Sequence, residues 1–309
     1  MDRHSGMRLF VAIADAGSLS EAGRRLGKPL TTVSRQLAAL EDALKARLFT
    51  RSTRNLALTE PGRTYLDACR RIIEETDAAE ARLSGEQSEP QGEIVITAPV
   101  VFGRLHVLPV VAEFLREHPR VNARLLLLDR PVDLIEEGLD VAIRIGSLRD
   151  SSLIAIRVGS VQRIVCASPT YLASRGLPKG PDGLTEHDCI TFSALGAWDR
   201  WTFFDGRKQM RVRIRSRLVV NTAESAIDAA IAGLGITRVL SYQAARALRD
   251  GSLKAILAKY DSGELPVHIL HRETRLVQPK VKSFVAHAAD TLRRRMGGLS
   301  LNPTKILSR

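Results

Sequence analysis

The stretch Leu30–Leu44, LTTVSRQLAALEDAL, decides how the first part of the chain is read. Leu30, Val33, Leu37, Leu40 and Leu44 recur at steps of three and four, the single apolar stripe of an amphipathic helix. At about 100° per residue, Thr31, Thr32, Arg35 and Ala38 fall on the opposite side, with Ser34 on the flank. That face carries hydroxyls and one guanidinium but little bulk, so a polar surface can approach it closely. Alone, it is also what any solvated helix face looks like. The flanking sequence decides between the two.

Upstream, Met7, Phe10, Val11 and Ala14 form a helical stripe that Gly17 can terminate. Ser18-Leu19-Ser20-Glu21 then reads as a capping box, with Ser18 as cap and Glu21 placed to reach back. Leu19, Ala22 and Leu26 give this second helix its apolar face, Gly27 ends it, and Pro29 keeps Lys28 out of helical geometry. Two short helices joined so tightly must cross steeply, which is helix-turn-helix geometry. Downstream, residues 48–51 and 55–58 read as two short strands around a Ser52-Thr53-Arg54 turn. This wing exposes Arg51 and Arg54 to phosphates or a minor groove. Between Arg24 and Arg54, eight lysines and arginines stand against Glu41 and Asp42, an excess of six that is half the net charge of +12. Such a balance favours a polyanionic partner.

Thr59-Glu60-Pro61-Gly62 opens a further helix, with Thr59 as cap and Pro61 tolerated in the first turn. Tyr65, Cys69, Ile72, Thr76, Ala79 and Leu83 alternate steps of four and three along it. That heptad seam fits a dimerisation helix better than packing on the chain's own core, because the linker SGEQSEPQG follows at residues 84–92.

From Gly92 the composition changes to strands alternating with helices. Strand 93–98, helix 102–117 with Leu105, Leu108, Val111, Ala112 and Leu115 inside, strand 121–128, short helix 132–137 and strand 141–145 make a βαβαβ unit with a mostly parallel sheet. A second unit has strands at 163–167, 189–192, 201–204, 212–220 and 253–257. Its helices lie at 169–174, 222–232 (capped by Asn221 or Thr222) and 242–248. Strand 267–270 and helix 281–294 return to the first. The expected domains are 1–60, a linker helix and hinge at 61–91, and 92–296, with a frayed tail at 297–309. The third is divided into 92–160 plus 266–296 and 161–265. Two α/β lobes with a crossover imply a cleft, where helix N-termini favour anions. Its candidate lining is Pro99, Val100 and Val101 on one side, Asn221 and Thr222 on the other, Arg144, Ile145 and Gly146 at a strand end, and Thr237 nearby. Two roles for Arg144 stay open: holding a ligand carboxylate, or an internal bridge to Asp140 or Asp129.

Enzyme, membrane and metal readings find little footing. No GxGxxG, GxxxxGK[ST], HExxH or GxSxG motif occurs, no apolar run is long enough to span a bilayer, and no secretory leader is read at the N-terminus, so the expected location is the cytoplasm. Three distant cysteines and the spacing of seven histidines suggest neither a disulfide framework nor a metal site, and no cofactor is expected.

The segments VSRQLAALE, LFTR and LALTEPG, in that order, resemble the winged helix-turn-helix of LysR-type transcriptional regulators. APVVFGRLHVLPVVAEFLREHP, LLDRPVDLIEEGLDVAIRIGSLRDSSLIA, CASPTYLASRG, EHDCI and NTAESAIDAAIAGLGIT resemble that family's effector domain. The resemblance covers nearly the whole chain. It implies an all-α winged helix-turn-helix followed by two Rossmann-like α/β subdomains of the periplasmic-binding-protein type II fold. It further implies a recognition helix in the major groove, with Thr31, Thr32, Ser34 and Arg35 at bases or phosphates, Arg51 and Arg54 on the wing, and Lys28 at the backbone. The implied partners are double-stranded DNA at a near-palindromic promoter site, a small-molecule effector with a carboxylate among the candidates, further copies of the chain as a dimer and a dimer of dimers, and RNA polymerase. The protein would work on the nucleoid. Many relatives carry hydroxyl residues where Val100 and Val101 stand, and a proline near Val239-Leu240-Ser241 that is missing here. The other reading of the effector domain is an assembly scaffold that senses nothing.

Overall fold

A computed structural model describes residues 2–51, 56–83, 89–148, 153–193, 199–206, 208–260, 264–272 and 278–297; the side chains of 51, 74, 75, 78, 79 and 81–83 are not described. The chain divides into two compact units, Met1–Gly92 and Glu93–Arg309.

In the first unit, α1 (Arg3–Ala16), α2 (Leu19–Leu26) and α3 (Leu30–Leu44) precede strands β1 (Phe49–Arg51) and β2 (Leu56–Leu58) and the long α4 (Glu60–Leu83). Gly17 and Gly27 take the left-handed conformation that ends α1 and α2, at φ 67° and 62°. Ser18 caps α2 by accepting the Glu21 N–H at 3.1 Å. Glu21 does not reach back as a capping box requires; its carboxylate is drawn to the two guanidiniums of the next turn, Arg24 and Arg25. Gly23 lets α2 and α3 cross closely, because a Cβ there would sit 2.8 Å from the Lys28 carbonyl oxygen. The core joins Leu9, Phe10 and Ile13 to Val33, Leu37 and Leu40, with Leu48, Phe49, Leu66 and Cys69. Leu26 and Leu30, expected in the apolar stripes, are exposed. Leu30, at 49 %, occupies the first position of its helix, beyond the neighbouring elements.

One buried carboxylate locks this unit. Glu41 on α3 accepts the backbone N–H groups of Leu48 and Phe49 at 2.7 and 3.2 Å and pairs with Arg47 at 2.9 Å. Thr59 caps α4 by accepting the Gly62 N–H at 3.0 Å, and its hydroxyl donates to the Arg47 carbonyl at 2.7 Å.

The second unit is built on a nine-stranded mixed sheet. Its strands are β3 (Gly92–Ala98), β4 (Val121–Leu127), β5 (Val141–Ile145), β6 (Leu153–Ala167), β7 (Asp188–Phe192), β10 (Arg215–Val220), β11 (Ile236–Leu240), β12 (Lys254–Ile256) and β13 (Glu264–Arg272). The order is β10-β7-β11-β6-β13-β5-β3-β4, with β12 also on β6. β8 (Arg200–Asp205) and β9 (Lys208–Arg213) form a separate hairpin. The expected parallel pairing holds for β3 with β5 and for β7 with β10 and β11. The long strand β6 joins the parallel groups through antiparallel ladders. Its residues 153–162 pair with β13, and 163–167 pair with β11 and β12. Helices α5 (Val100–Phe102), α6 (Leu108–Glu117), α7 (Pro169–Arg175), α8 (Ala223–Ile231), α9 (Ser241–Arg249) and α10 (Pro279–Gly297) complete the unit.

Three expectations are corrected. The helix at 102–117 is split by a π-helical turn at Gly103–Val107. The extra residue rotates the following face, so Leu105 and Leu108 are exposed (38 % and 48 %) while Val107, Val110 and Phe114 are buried. In place of a helix at 132–137 the chain forms turns at 134–138, organised by Asp133, whose carboxylate accepts the N–H groups of Ile135 and Glu136 at 2.7 and 3.0 Å. The single strand at 212–220 is two strands that serve different sheets and meet at Ile214. All three cysteines are free and buried, and burial pushes the Cys166 and Cys189 thiols up to about 12.

Burial raises the Glu41 carboxyl, but the Leu48 amide, Arg47 and the Phe49 amide outweigh it and hold the group below the usual glutamate range. A folded value below the unfolded one means stabilisation that is complete above the ordinary glutamate pKa and is lost as pH falls through the lowered folded value. Glu41→Ala leaves two buried N–H groups without acceptors and lowers stability by about 2–4 kcal/mol. In thermal melts, the advantage of the parent over Glu41→Gln shrinks as pH drops below about 4.

Candidate nucleic-acid interface and effector cleft

Two regions collect the polar residues singled out in the sequence. The first lies on α3. An open groove is lined by Leu30, Thr31, Ser34, Arg35, Ala38 and Glu41 of α3 and by Arg47 and Phe49 from the segment that follows. Thr31 and Arg35 are exposed, and Thr32 and Ser34 are half-buried. Pro29 starts the helix without a side-chain cap bond. Lys28 is drawn toward the same helix, its Nζ donating to Gln36 Oε1 at 3.3 Å. Arg47, a groove-lining cation, was counted in the sequence only as charge. It owes its position to the Glu41 pairing, which requires the tertiary fold. Arg51 lies on β1, but its side chain is outside the described residues, as is Arg54 altogether.

The seam expected on α4 divides. Cys69 is fully buried and Tyr65 packs on the same core, its ring 5.4 Å from that of Phe10. These two residues therefore serve their own unit. The apolar surface of α1 and the wing needs a cover, and the first turns of α4 supply it. Ile72 is exposed, and Thr76 is half-buried with its hydroxyl bonded back to the Ile72 carbonyl at 2.8 Å. The side chains of Ala79 and Leu83 are outside the described residues.

The second region lies within Glu93–Arg309, where the two lobes meet. Pro99 precedes α5, and the Val100 N–H behind it is already occupied, donating to Asp129 Oδ1 at 3.0 Å. Val101 points into the core instead of the cleft. Arg144 donates to the Ile143 carbonyl at 3.1 Å and to Thr97 Oγ1 at 3.3 Å. Burial lowers its pKa, opposed by the charges of Asp129 and Glu137. Asp140, once a candidate partner, instead accepts the Val95 N–H at 2.8 Å. Ile145 packs against the core, and Gly146, at φ 110°, donates to the Pro266 carbonyl. On the facing lobe Thr222 caps α8, accepting the Ser225 N–H at 3.3 Å, while Asn221 is exposed. Thr237 is fully buried, its hydroxyl donating to the Ile190 carbonyl at 3.1 Å. It is a strand residue and does not line the cleft.

Five residues at the junction were not singled out for it by sequence. Tyr242 from α9 packs edge-on against Phe102 and near His106, with ring centroids 5.4 and 5.7 Å apart. Arg104 and Glu224 bring opposite charges to 3.9 Å across the two lobes. The Tyr242 hydroxyl and His106 Nε2 are buried without a hydrogen-bond partner among the described residues. Burial, then the Arg295 charge, lowers the His106 pKa. Burial and the neighbouring Glu224 charge raise the Asp129 carboxyl, against the Val100 amide and Arg144. Asp129 was weighed in the sequence only as a bridge partner for Arg144; nothing in the sequence brings Tyr242 to residue 102. Because the Asp129 carboxylate caps α5, Asp129→Ala lowers the melting stability of the second unit by about 1 kcal/mol, whereas Asp129→Asn, which retains an acceptor, costs much less.

Residues 4–63 match the family described as bacterial regulatory helix-turn-helix protein, lysR family, and residues 87–293 match the LysR substrate binding domain. A transcriptional repressor of Pseudomonas aeruginosa is 32 % identical over 92 % of this chain and 90 % of its own. The transcriptional activator AaeR of Escherichia coli is 30 % identical over 94 % of each. The full-length structure of the Vibrio cholerae virulence activator AphB superposes with a TM-score of 0.60 at 27 % identity, covering 93 % of this chain and 98 % of that one. The chain therefore belongs to the LysR family of helix-turn-helix transcriptional regulators, which are regulators and not enzymes.

Proposed function

We propose that this regulator reads a near-palindromic duplex site through the N-terminal half of α3, and that a small molecule bound between its two α/β lobes controls it. The observation that carries the first part is the exposed Arg35, set beside Thr31 and Ser34 along an open groove. A guanidinium there suits the paired acceptors of guanine in the major groove, and the hydroxyls suit bases or phosphates. Thr32 assists from the flank, Lys28 serves the phosphate backbone, and Arg51 and Arg54 on the wing contact phosphates or the minor groove. Two copies joined along α4 from Ile72 onward, through Ala79 and Leu83, present two such helices to two half-sites. Dimers pair into tetramers and act beside RNA polymerase at promoters, in the cytoplasm on nucleoid DNA.

The second part rests on the α/β lobes meeting around α5, α8 and the end of β5. Since Asp129 already occupies the Val100 amide, an anionic effector is held by Arg144 and the Asn221–Thr222 turn, with the Tyr242 hydroxyl as a further donor. Binding between the lobes shifts the population between two assemblies and changes the DNA contacts made by paired dimers.

Arg35→Ala weakens specific binding by about 5- to 150-fold in gel shifts with the DNA flanking the gene, and lowers the slope of log K against log salt by no more than about one. Its melting temperature stays that of the parent; a large fall would make Arg35 structural. In a thermal-shift series of small carboxylates and aromatic acids, at least one compound stabilises the second unit at millimolar concentration. A uniformly flat result removes the sensing role and leaves that unit as an assembly scaffold.

A further inference from the structure

Outside residues 24–54, the positive charge of the chain is gathered in one further segment. Residues 199–217 hold seven lysines and arginines against Asp199 and Asp205, an excess of five. With the excess of six at 24–54, this accounts for nearly all of the net charge of +12, so the rest of the chain is close to neutral. Within the second unit, β8 and β9 pair antiparallel, with Arg200 opposite Arg213 and Thr202 opposite Arg211. Trp201, Phe203 and Val212 alternate with these residues and are buried. Beneath them the guanidinium carbon of Arg238 lies 5.1 Å from the centre of the Trp201 ring, and one of its nitrogens donates to the Thr202 carbonyl at 3.1 Å, which ties the hairpin to the main sheet.

The alternation of buried and exposed residues continues through Ile214, which is buried and donates its N–H to the Asp199 carbonyl at 2.9 Å, into β10, the edge strand of the main sheet. Arg215 and Arg217 are again exposed. Together with Arg175 of α7 they surround the buried carboxylate of Asp188 at 3.7, 3.1 and 3.4 Å, so one carboxylate faces three guanidiniums. Arg211 and Arg213 are exposed and form no ion pair with a described residue, including Asp182 and Glu186 on the turn at 181–186 beside β9. Like charges directly opposite one another destabilise a β-ladder, and Arg200 and Arg213 are such a pair, offset on one side by Asp199 at 3.5 Å. Charge on an exposed edge also deters strand pairing, but mixed signs do that without self-repulsion.

A ridge of one sign therefore calls for an anion from outside the chain. Its cations are arginines, whose planar fork matches phosphate oxygens two at a time. Apolar anchors are scarce on the outward side of the hairpin, where Phe204 is half-buried among Arg200, Thr202, Gln209, Arg211 and Arg213. Protein interfaces have an apolar core, whereas nucleic-acid interfaces are polar and strongly basic. We propose that the ridge of Arg200, Arg211, Arg213, Arg215 and Arg217 is a second duplex-DNA contact, which grips phosphates flanking the site read by α3. The proposal rests on that DNA-reading role of α3. Both surfaces belong to one chain, so DNA held by the first unit meets the ridge at an effective concentration on the order of millimolar, where weak phosphate contacts count. The contact adds affinity and extends the occupied DNA without reading bases.

The test titrates the full-length protein with two labelled duplexes from the DNA flanking the gene, one of about 25 base pairs centred on the protected site and one of about 80. For the parent, the slope of log K against log salt is steeper on the long duplex. In Arg211→Gln/Arg213→Gln that slope falls by about two for each copy bound and affinity drops several-fold, while the short duplex binds as it does to the parent. The double variant melts no lower than the parent, because neither residue forms an ion pair with a described residue and Arg213 faces a like charge. Arg215→Gln, which leaves Arg175 and Arg217 on Asp188, lowers the slope by about one. Arg35→Ala weakens both duplexes alike and so separates the two surfaces. Equal slopes for parent and double variant on the long duplex overturn the proposal and leave the role of α3 intact. It is also overturned if the double variant changes the sedimenting species, which assigns the ridge to a second copy of the chain, or aggregates with its slope unchanged, which assigns it to edge protection. A parent that binds neither duplex specifically removes the α3 reading and this one with it.

Discussion

The carboxylate of Glu41 is the point on which the DNA-reading unit depends. It is 5 % exposed, yet it accepts two backbone amides and a guanidinium from the segment that follows α3. Those bonds turn the chain from the end of α3 directly into the wing. Lys45 ends α3 in the left-handed conformation at φ 52°, a mildly strained arrangement that the Glu41 bonds hold in place. Thr59 then ties the same turn to the start of α4, whose Leu66 and Cys69 close the core. The groove beside Arg35 follows from this geometry, since Glu41, Arg47 and Phe49 are among its lining residues.

In the second unit the corresponding constraint is the length of β6. One strand of 15 residues serves as an edge partner for β13 in its first part and for β11 and β12 in its second. Parallel strand groups of two lobes are thereby held on one backbone, and their relative position is limited to what β6 and β13 allow. At the junction Tyr242 packs on Phe102 and Arg104 lies near Glu224, above a hydrophobic core that is continuous between the lobes.

Two half-buried cations of the second unit differ physically. Arg144 is surrounded by acceptors and by the charges of Asp129 and Glu137, so the chain itself compensates it. Arg238 has aromatic faces, one carbonyl and a second cation nearby. Conventional motif reading directs attention to helix N-termini at the cleft. There, however, the Val100 amide is already satisfied by Asp129, and a charged residue inside an otherwise apolar strand proves the less compensated of the two.

Local sequence carried the first unit almost completely. Periodicity, Ser18, Gly17, Gly27 and Thr59 act within a few residues of themselves, so helix ends, the tight turn and the wing strands follow from short-range geometry. The same holds for Thr222 capping α8. Long-range burial was not legible. Nothing local distinguishes Leu105 and Leu108 from core leucines until a π-helical turn rotates them outward, and nothing local says that Cys69 serves its own core while Ile72 is left exposed. Glu41 reads as one acid in a basic segment; only the folded chain removes its water and replaces it with amides. Likewise Thr237 lost its place in the cleft to a strand carbonyl, and Asp129, Tyr242 and Arg238 acquired their roles from partners many residues away. Patterns that repeat every two to four residues are written in the sequence because they involve only neighbouring backbone, whereas charge compensation, exposure and site membership depend on which distant groups the fold brings within a few ångströms.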